Sequence, residues 1–143
     1  MRNTDLALSI DRFMRRIHFG LQSKAHAFDT AKVGPGGGIV LLTLSDMGSP
    51  GLGELTTRVA RDKSQMTRTV RSLEAKGLVE RYACTDDARV TRIRLTAEGD
   101  GVVATLQNAV AETIDDILAP VSEEEKGALK RILERALVET DPK

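Results

Sequence analysis

Five polar side chains with helical spacing lie between positions 64 and 71, and together they could contact a nucleic acid. A helix advances about 100° per residue, so one face is small, hydroxylated or basic and the opposite face is apolar. A guanidinium group can donate to a guanine edge or a phosphate, and small neighbours let a helix enter a major groove. An ordinary surface helix with solvated arginines is the alternative. The polar set is Ser64, Thr67, Arg68 and Arg71, with Gln65 on the flank, and the apolar set is Met66, Val70 and Leu73.

A further arginine lies in a predicted β-hairpin that follows this helix. Two strand-like runs near 78–84 and 90–95 are joined by the loop Thr-Asp-Asp-Ala-Arg, which ends at Arg89. An arginine beside a hairpin tip can enter a narrow minor groove, where the negative potential is focused. Asp86 and Asp87 would repel phosphate, so a reason for them is needed. They can hold the Arg89 guanidinium by hydrogen bonds or form the turn, since Asp is a favoured turn residue, and the two roles are compatible.

Charge is distributed unevenly along the chain, although 21 basic and 21 acidic residues balance overall. The stretch from Leu55 to Leu95 has ten basic and five acidic residues, a net charge of +5. The stretch from Thr96 to Lys143 has five basic and eleven acidic residues, a net charge of −6. This division predicts a middle segment that binds a polyanion beside an acidic segment that does not. Chance clustering on solvated faces is the alternative.

The sequence offers no constellation for catalysis or metal binding. A single cysteine, Cys84, excludes an internal disulfide and a multi-cysteine metal site. The glycine-rich run at 34–38 lacks the Gly-Lys-Ser/Thr that follows in a phosphate-binding loop, so a hinge or turn is expected there. No nucleophile has a recognisable base and orienting partner. We therefore expect no enzyme activity, no cofactor and no metal, with Cys84 as a small packed residue.

The first predicted helix carries residues that could line a ligand pocket. His18 and His26 lie about 80° apart around the helix, near Phe13. Hydrogen-bonded or surface histidines are the favoured alternative, because a lone histidine rarely identifies a site. A zinc site would need Asp11 or Asp29 as third ligand, and this spacing is not diagnostic.

Hydrophobic periodicity and capping signals order the elements around the candidate contacts. Asp62 is placed to cap the polar helix and Gly77 to end it, while Thr96 and Ser122 are placed to cap the last two helices. The predicted elements are a helix over about 5–29, a loop over 33–38, a short buried helix over 39–44, a turn over 46–51, two short helices up to about 76, the hairpin, and two C-terminal helices separated at Pro120.

The fold class expected from this order is mainly α with a small β-hairpin wing. A winged helix-turn-helix over about 35–97 is flanked by helices over about 1–32 and 98–143, within a single domain of 143 residues. Each flanking helix has one apolar stripe that must be covered, and the central motif is too small to cover three. The flanking helices are therefore expected to pair with a second copy of the chain, as dimerisation helices of a homodimer. The charged start and the lack of a long apolar run predict a cytoplasmic protein without membrane contact.

The region from Leu55 to Gly99 resembles the MarR family of bacterial transcription regulators. The residues that carry the resemblance are Leu-x-x-x-Val-Ala from Leu55, Ser-x-Met-Thr-Arg-x-Val-x-x-Leu-Glu-x-Lys-Gly-Leu-Val-x-Arg from Ser64, Asp-x-Arg from Asp87 and Leu-Thr-x-x-Gly from Leu95. The resemblance implies a triangular homodimer that binds pseudo-palindromic operators, with release in many members by a small phenolic or other aromatic ligand, or by oxidation. It places Ser64, Gln65, Thr67, Arg68 and Arg71 on a recognition helix in the major groove, and makes Arg89 the wing-tip arginine with Asp87 its neighbouring acid.

The chain departs from this family pattern at two places. Its glycine-rich run replaces a Leu-Thr-type helix start, and its first helix lacks the cysteine of the peroxide-sensing members. A peroxide-sensing role is therefore not expected. The function expected is a sequence-specific, double-stranded-DNA-binding transcriptional regulator, a repressor, which a small aromatic effector could release. The alternative is a winged-helix protein–protein module that binds no DNA.

Overall fold

The computed structural model describes residues 2–87 and 89–138, which form six helices and one antiparallel hairpin. This confirms the mainly helical fold with a small β-wing. The contacts divide the chain into two compact units. The helical unit comprises the chain up to Ala25 and from Ala109 on, and the winged-helix unit comprises His26–Asn108. The elements are α1 (Thr4–Phe28), α2 (Gly34–Met47), α3 (Leu52–Val59), α4 (Lys63–Ala75), β1 (Val79–Ala83), β2 (Thr91–Leu95), α5 (Ala97–Ile117) and α6 (Glu123–Ala136).

Aliphatic side chains from α2, α3, α4 and β2 form the core of the winged-helix unit. The apolar face expected on α4 is confirmed, because Met66, Val70 and Leu73 are buried. Burying each such side chain contributes about 1.5–3 kcal/mol, which fixes the rotation of α4 and turns its opposite face outward. The largest fully buried side chains are Leu41, Leu44, Leu55, Met66, Leu73 and Ile93.

The glycine-rich run is helical, so the expectation of a loop over 33–38 was wrong. Helix α2 begins at Gly34, five residues before the expected start at Ile39. Pro35 is tolerated because the first turn of a helix needs no N–H donor from it. The carboxylate of Asp29 accepts hydrogen bonds from the N–H groups of Val33 and Gly34, both at 2.9 Å. A cap four and five residues upstream therefore stabilises a helix start that the local sequence disfavours.

Close packing explains the glycines inside α2. Gly37 and Gly38 are buried, and a Cβ atom added at Gly37 would lie 2.9 Å from Val33 Cβ. At Gly36 it would lie 3.0 Å from an Arg61 guanidinium nitrogen. Glycine here serves close approach, and not the flexibility of a hinge.

Local signals define both ends of α4, as expected. The Asp62 carboxylate accepts a hydrogen bond from the Gln65 N–H at 2.8 Å. Gly77 has a φ of 75°, in the left-handed region that glycine adopts without strain. The N–H of Leu78 then donates to the Leu73 carbonyl at 3.0 Å, which completes the C-terminal cap. Helix α4 thus begins and ends where the sequence predicted.

The hairpin follows directly, with Val79 paired to Leu95 and Ala83 to Thr91. Strand β2 also pairs on its other side with the segment between α2 and α3, a contact that the sequence did not predict. The N–H of Ile93 donates to the Pro50 carbonyl at 2.9 Å, and Gly51 forms an isolated bridge with Arg92. The wing is therefore tied to the chain about forty residues upstream of it.

The helical unit is built from α1, the second half of α5, and α6. A Cβ atom at Gly20 would lie 2.7 Å from Thr113 Cγ2, so α1 and α5 cross in close contact. Lys24 Nζ and Asp116 Oδ2 lie 3.0 Å apart beside this crossing. The predicted capping box of α6 is present, since Ser122 Oγ accepts from the Glu125 N–H and Glu125 accepts from the Ser122 N–H. Among the described residues, no helix combines the length and the apolar character that crossing a membrane requires.

Candidate nucleic-acid interface

Helix α4 presents the five polar residues of its sequence motif on the side away from the core. Ser64, Gln65, Arg68 and Arg71 are exposed, and Thr67 is half-buried. The Thr67 hydroxyl donates to the Lys63 carbonyl at 2.8 Å, which holds its methyl group at a fixed rotation. The backbone thus brings all five together as one short, largely solvent-facing surface.

The arginines of the hairpin differ from those of α4 because they have carboxylate partners. Exposed pairs of this kind contribute little stability, so their main effect is to hold side chains in place. Within residues 2–87 and 89–138, Arg68 and Arg71 form no ion pair, so their donors face solvent. The pairs are Arg81–Glu74 at 2.9 Å, Arg89–Asp87 at 3.1 Å, Arg92–Glu54 at 3.9 Å and Arg94–Glu80 at 2.6 Å.

The wing tip joins Asp87 to Arg89 by both backbone and side chain. The Arg89 N–H donates to Asp87 Oδ1 at 3.0 Å, the bond of an Asx turn. The Arg89 guanidinium donates to the two carboxylate oxygens at 3.1 and 3.3 Å. These bonds, with the guanidinium contact the larger cause, lower the pKa of the Asp87 carboxyl. The Arg89 side chain is 91% exposed, so the carboxylate orients the guanidinium without enclosing it.

Cys84, expected as a small packed residue, is half-buried at the start of the wing loop. The backbone N–H groups of Asp86 and Asp87, followed by the Arg92 guanidinium, lower the pKa of its thiol. All three are donors or positive charges that favour the thiolate. The effect of Arg92 on this thiol could not be predicted from the sequence, because it depends on how β2 lies beside the end of β1.

The three residues expected in a ligand pocket do not converge on the depression found in the helical unit. Phe13 is half-buried, and His18 and His26 are exposed. A pocket formed by these three stays a prediction. The depression has a volume of about 180 Å³ and is lined by Arg16, Phe19, Gly20, Lys24, Thr113, Asp116 and Ile117. In the part of the chain that is described, no group of three His, Cys, Asp or Glu residues is placed to hold a metal ion.

Known proteins share both the motif and the fold. Residues 39–91 match the model of the MarR family. A MarR family protein from Bacillus stearothermophilus is similar in fold with a TM-score of 0.73 and 23% identity, over 95% of this chain and 96% of that one. The YusO protein from Bacillus subtilis gives a TM-score of 0.65 and 25% identity, over 94% and 93% of the two chains.

A third similar structure, of a mutant MepR from S. aureus, contains a bound oligodeoxyribonucleotide. Its TM-score is 0.61 and its identity 23%, over 96% of each chain. The family match covers the segment from α2 to the start of β2, which carries α4 and the wing loop. The fold is shared well beyond that segment, along nearly the whole chain. Motif and fold therefore agree: residues 39–91 match the MarR family model, and nearly the whole chain is similar in fold to the three solved structures named above.

Proposed function

We propose that this protein is a transcriptional repressor that binds double-stranded DNA sequence-specifically, as a homodimer on a pseudo-palindromic operator. The observation that carries the proposal is the exposed face of α4, where Arg68 and Arg71 have no acidic partner among the described residues. A buried opposite face holds this surface in one orientation. Two arginines with small polar neighbours are suited to base edges and phosphates of a major groove.

The wing supplies a second point of contact in this proposal. Arg89 is exposed and oriented by Asp87, so its guanidinium is available to a minor groove. The likeness to the DNA-bound MepR structure supports the same use of the fold. In this proposal Ser64, Gln65, Thr67, Arg68 and Arg71 contact the major groove, and Arg89 with Asp87 contacts the minor groove.

The proposed partner for the flanking helices is a second copy of the chain. Helix α1 has no buried residue, and Leu6, Ile10 and Met14 on one stripe are each at least half exposed. On α6, Ile132 and Leu133 are exposed as well. A monomer rarely leaves apolar surface of this kind uncovered. A second copy would cover it and would pair two α4 helices for the two half-sites of an operator.

A protein–protein module with the same fold is the competing function. Such a module would be expected to cover or neutralise a basic helix face, whereas the α4 arginines are exposed and unpaired in the described residues. This favours DNA. Release by a small aromatic effector remains part of the proposal, on the family resemblance, and thermal-shift screening with aromatic acids tests it.

Selection from a random-sequence DNA pool tests the main proposal directly. Purified protein is expected to enrich an inverted repeat whose half-site centres lie about one helical turn, 10–10.5 base pairs, apart. The control is a variant with Arg68→Ala and Arg71→Ala, which should enrich nothing above background. Failure of the wild-type protein to enrich any motif at low salt would overturn the proposal. When the selected site is placed across a promoter, the protein should then lower run-off transcription. An increase in transcription would identify the protein as an activator and not a repressor.

A further inference from the structure

Arg92 differs from the other basic residues of the hairpin in what it contacts. Its Nη1 donates to the Ser49 carbonyl at 3.0 Å and lies 3.9 Å from Glu54 Oε1. Its positive charge also lowers the pKa of the Cys84 thiol. Ser49 belongs to the segment between α2 and α3, Glu54 to the first turn of α3 and Cys84 to the start of the wing loop. One side chain therefore joins three parts of the winged-helix unit.

The backbone around Arg92 makes the same connection. Gly51 bridges Arg92 in antiparallel fashion, and Ile93 donates to Pro50 at 2.9 Å. The Glu54 carboxylate in turn accepts from the Gly51 N–H at 3.3 Å. Segment 49–51 thus lies beside β2 through one backbone hydrogen bond and one isolated bridge, and Arg92 Nη1 reaches the carbonyl of its first residue.

We propose that Arg92 is a positioning residue that holds the wing against segment 49–51 and so sets where Arg89 lies relative to α4. This rests on the proposed DNA-binding function. Arg92 Nη1 is directed at the Ser49 carbonyl with Glu54 nearby, so in this proposal Arg92 contributes to operator binding through the wing and makes no direct contact with DNA. A winged helix needs its α4 contact and its wing contact with DNA at one fixed spacing, because a small displacement of the wing would lose one of the two.

Arg94 provides a matched control on the same strand and the same face. It pairs with Glu80 at 2.6 Å on the neighbouring strand, and its guanidinium lies 4.1 Å from the centre of the Tyr82 ring. These contacts remain inside the hairpin. Arg92→Met and Arg94→Met therefore remove the same charge from β2, but only the first should release the wing from segment 49–51.

The first experiment measures affinity for a fluorescein-labelled duplex selected by the wild-type protein. Arg92→Met is expected to lower the affinity toward the level of Arg89→Ala without exceeding it, and Arg94→Met to lower it clearly less. Equal losses in Arg92→Met and Arg94→Met would overturn the proposal, because a general electrostatic effect would then suffice.

Combination with Arg89→Ala separates an indirect role from a direct contact. In the Arg89→Ala background, Arg92→Met should change neither the affinity nor the slope of log affinity against log salt concentration. A direct phosphate contact would instead reduce that slope by about 0.9 for each phosphate lost. If the double variant binds more weakly than Arg89→Ala and has a smaller salt slope, Arg92 contacts the DNA directly and the positioning role is rejected.

A readout without DNA distinguishes failure of this inference from failure of the proposed function. The Ile93 amide should exchange with deuterium faster in Arg92→Met than in the wild type, and unchanged exchange would reject the inference even if DNA binds. If the Ile93 amide exchanges faster in Arg92→Met but the wild-type protein binds no DNA, then Arg92 does hold the wing, and only the role of this contact in DNA binding is rejected. If Arg92→Met lowers thermal stability too far, Arg92→Lys, with fewer donors, should show the same changes at smaller size.

Discussion

The carboxylate of Asp87 accepts hydrogen bonds from both the backbone N–H and the guanidinium of Arg89, at 3.0 and 3.1 Å. The Asp side chain that would repel phosphate is thereby engaged with the arginine that should attract it. Both roles considered from the sequence are met by one residue, since the first bond forms the turn and the second holds the guanidinium.

The Asp87–Arg89 contact should survive mild acid. The pKa of Asp87 is lowered by Arg89, so the contribution of this pair is present above the pKa of an unfolded Asp and is lost only as pH falls through the lower folded value. Titration of the Asp87 carboxyl carbon by NMR should show a midpoint below that of the same residue in Arg89→Ala. Identical midpoints would mean that the guanidinium does not hold the carboxylate in solution.

Removal of either α4 arginine should weaken DNA binding and leave the fold intact. Arg68→Ala and Arg71→Ala should each cost about 1–3 kcal/mol of operator binding if the contact is to a base edge, because both side chains are exposed in the free protein. Fluorescence anisotropy measures the loss, and circular dichroism checks the fold. Arg135→Ala on α6 removes the same charge from another surface and should bind as the wild type does. If all three variants bound as tightly as the wild type, α4 would not be the helix that contacts the operator.

A methyl group at Gly37 should destabilise the winged-helix unit. Its Cβ would lie 2.9 Å from Val33 Cβ, and overpacking of this kind costs about 1–3 kcal/mol. Gly53→Ala is the matched control, because nothing lies within 4 Å of a Cβ at that helical position and the exchange should be neutral or slightly stabilising. Urea unfolding compares the two variants. A Gly37→Ala protein as stable as the wild type would show that close packing does not require glycine at this position.

A charge on the apolar stripe of α1 should dissociate the proposed dimer. Ile10→Glu places a carboxylate among side chains such as Leu6 and Met14, which are expected to face the second copy. Leu8→Glu changes a residue of similar exposure about 200° around the helix and should leave the dimer intact. Sedimentation velocity at micromolar concentration measures the oligomeric state of both variants and of the wild type. A wild-type chain that sediments as a folded monomer would remove the homodimer.

The thiol of Cys84 should react at lower pH in the folded chain than in the unfolded chain. The N–H groups of Asp86 and Asp87 and the Arg92 guanidinium lower its pKa, so more thiolate is present at any given pH below the usual value. The rate of iodoacetamide alkylation against pH gives the midpoint, with the urea-unfolded protein as control. Arg92→Met should move the folded midpoint upward, and coincident folded and unfolded curves would contradict the lowered pKa of the thiol.

Local chemistry made much of α4 and of α6 predictable from the sequence. Asp62 and Ser122 cap helices through bonds to residues three positions later, and Gly77 closes α4 within one turn. The apolar face of α4 follows from helical spacing alone. Such interactions involve neighbours in sequence, so the residue types and their order are sufficient to predict them.

The start of α2 could not be predicted in this way. Whether a glycine run forms a loop or a helix depends on what packs against it, here Arg61 beside Gly36, Leu73 beside Gly37 and Leu106 beside Gly38. The cap from Asp29 adds to the effect of this packing. Hydrophobic periodicity does not indicate this packing, because glycine has no side chain that would mark a buried face. The local preference for a loop was outweighed by tertiary packing.

The sequence by itself determined the order of the elements, the polar face of α4 and the position of Arg89 at the wing loop. Only the tertiary structure decided which arginines are engaged by the protein and which remain available. Arg92 meets Ser49, 43 residues away along the chain, while Arg68 and Arg71 meet no carboxylate in the described residues. Charge is a property of the residue type, but its availability depends on groups that chain folding brings within a few ångströms.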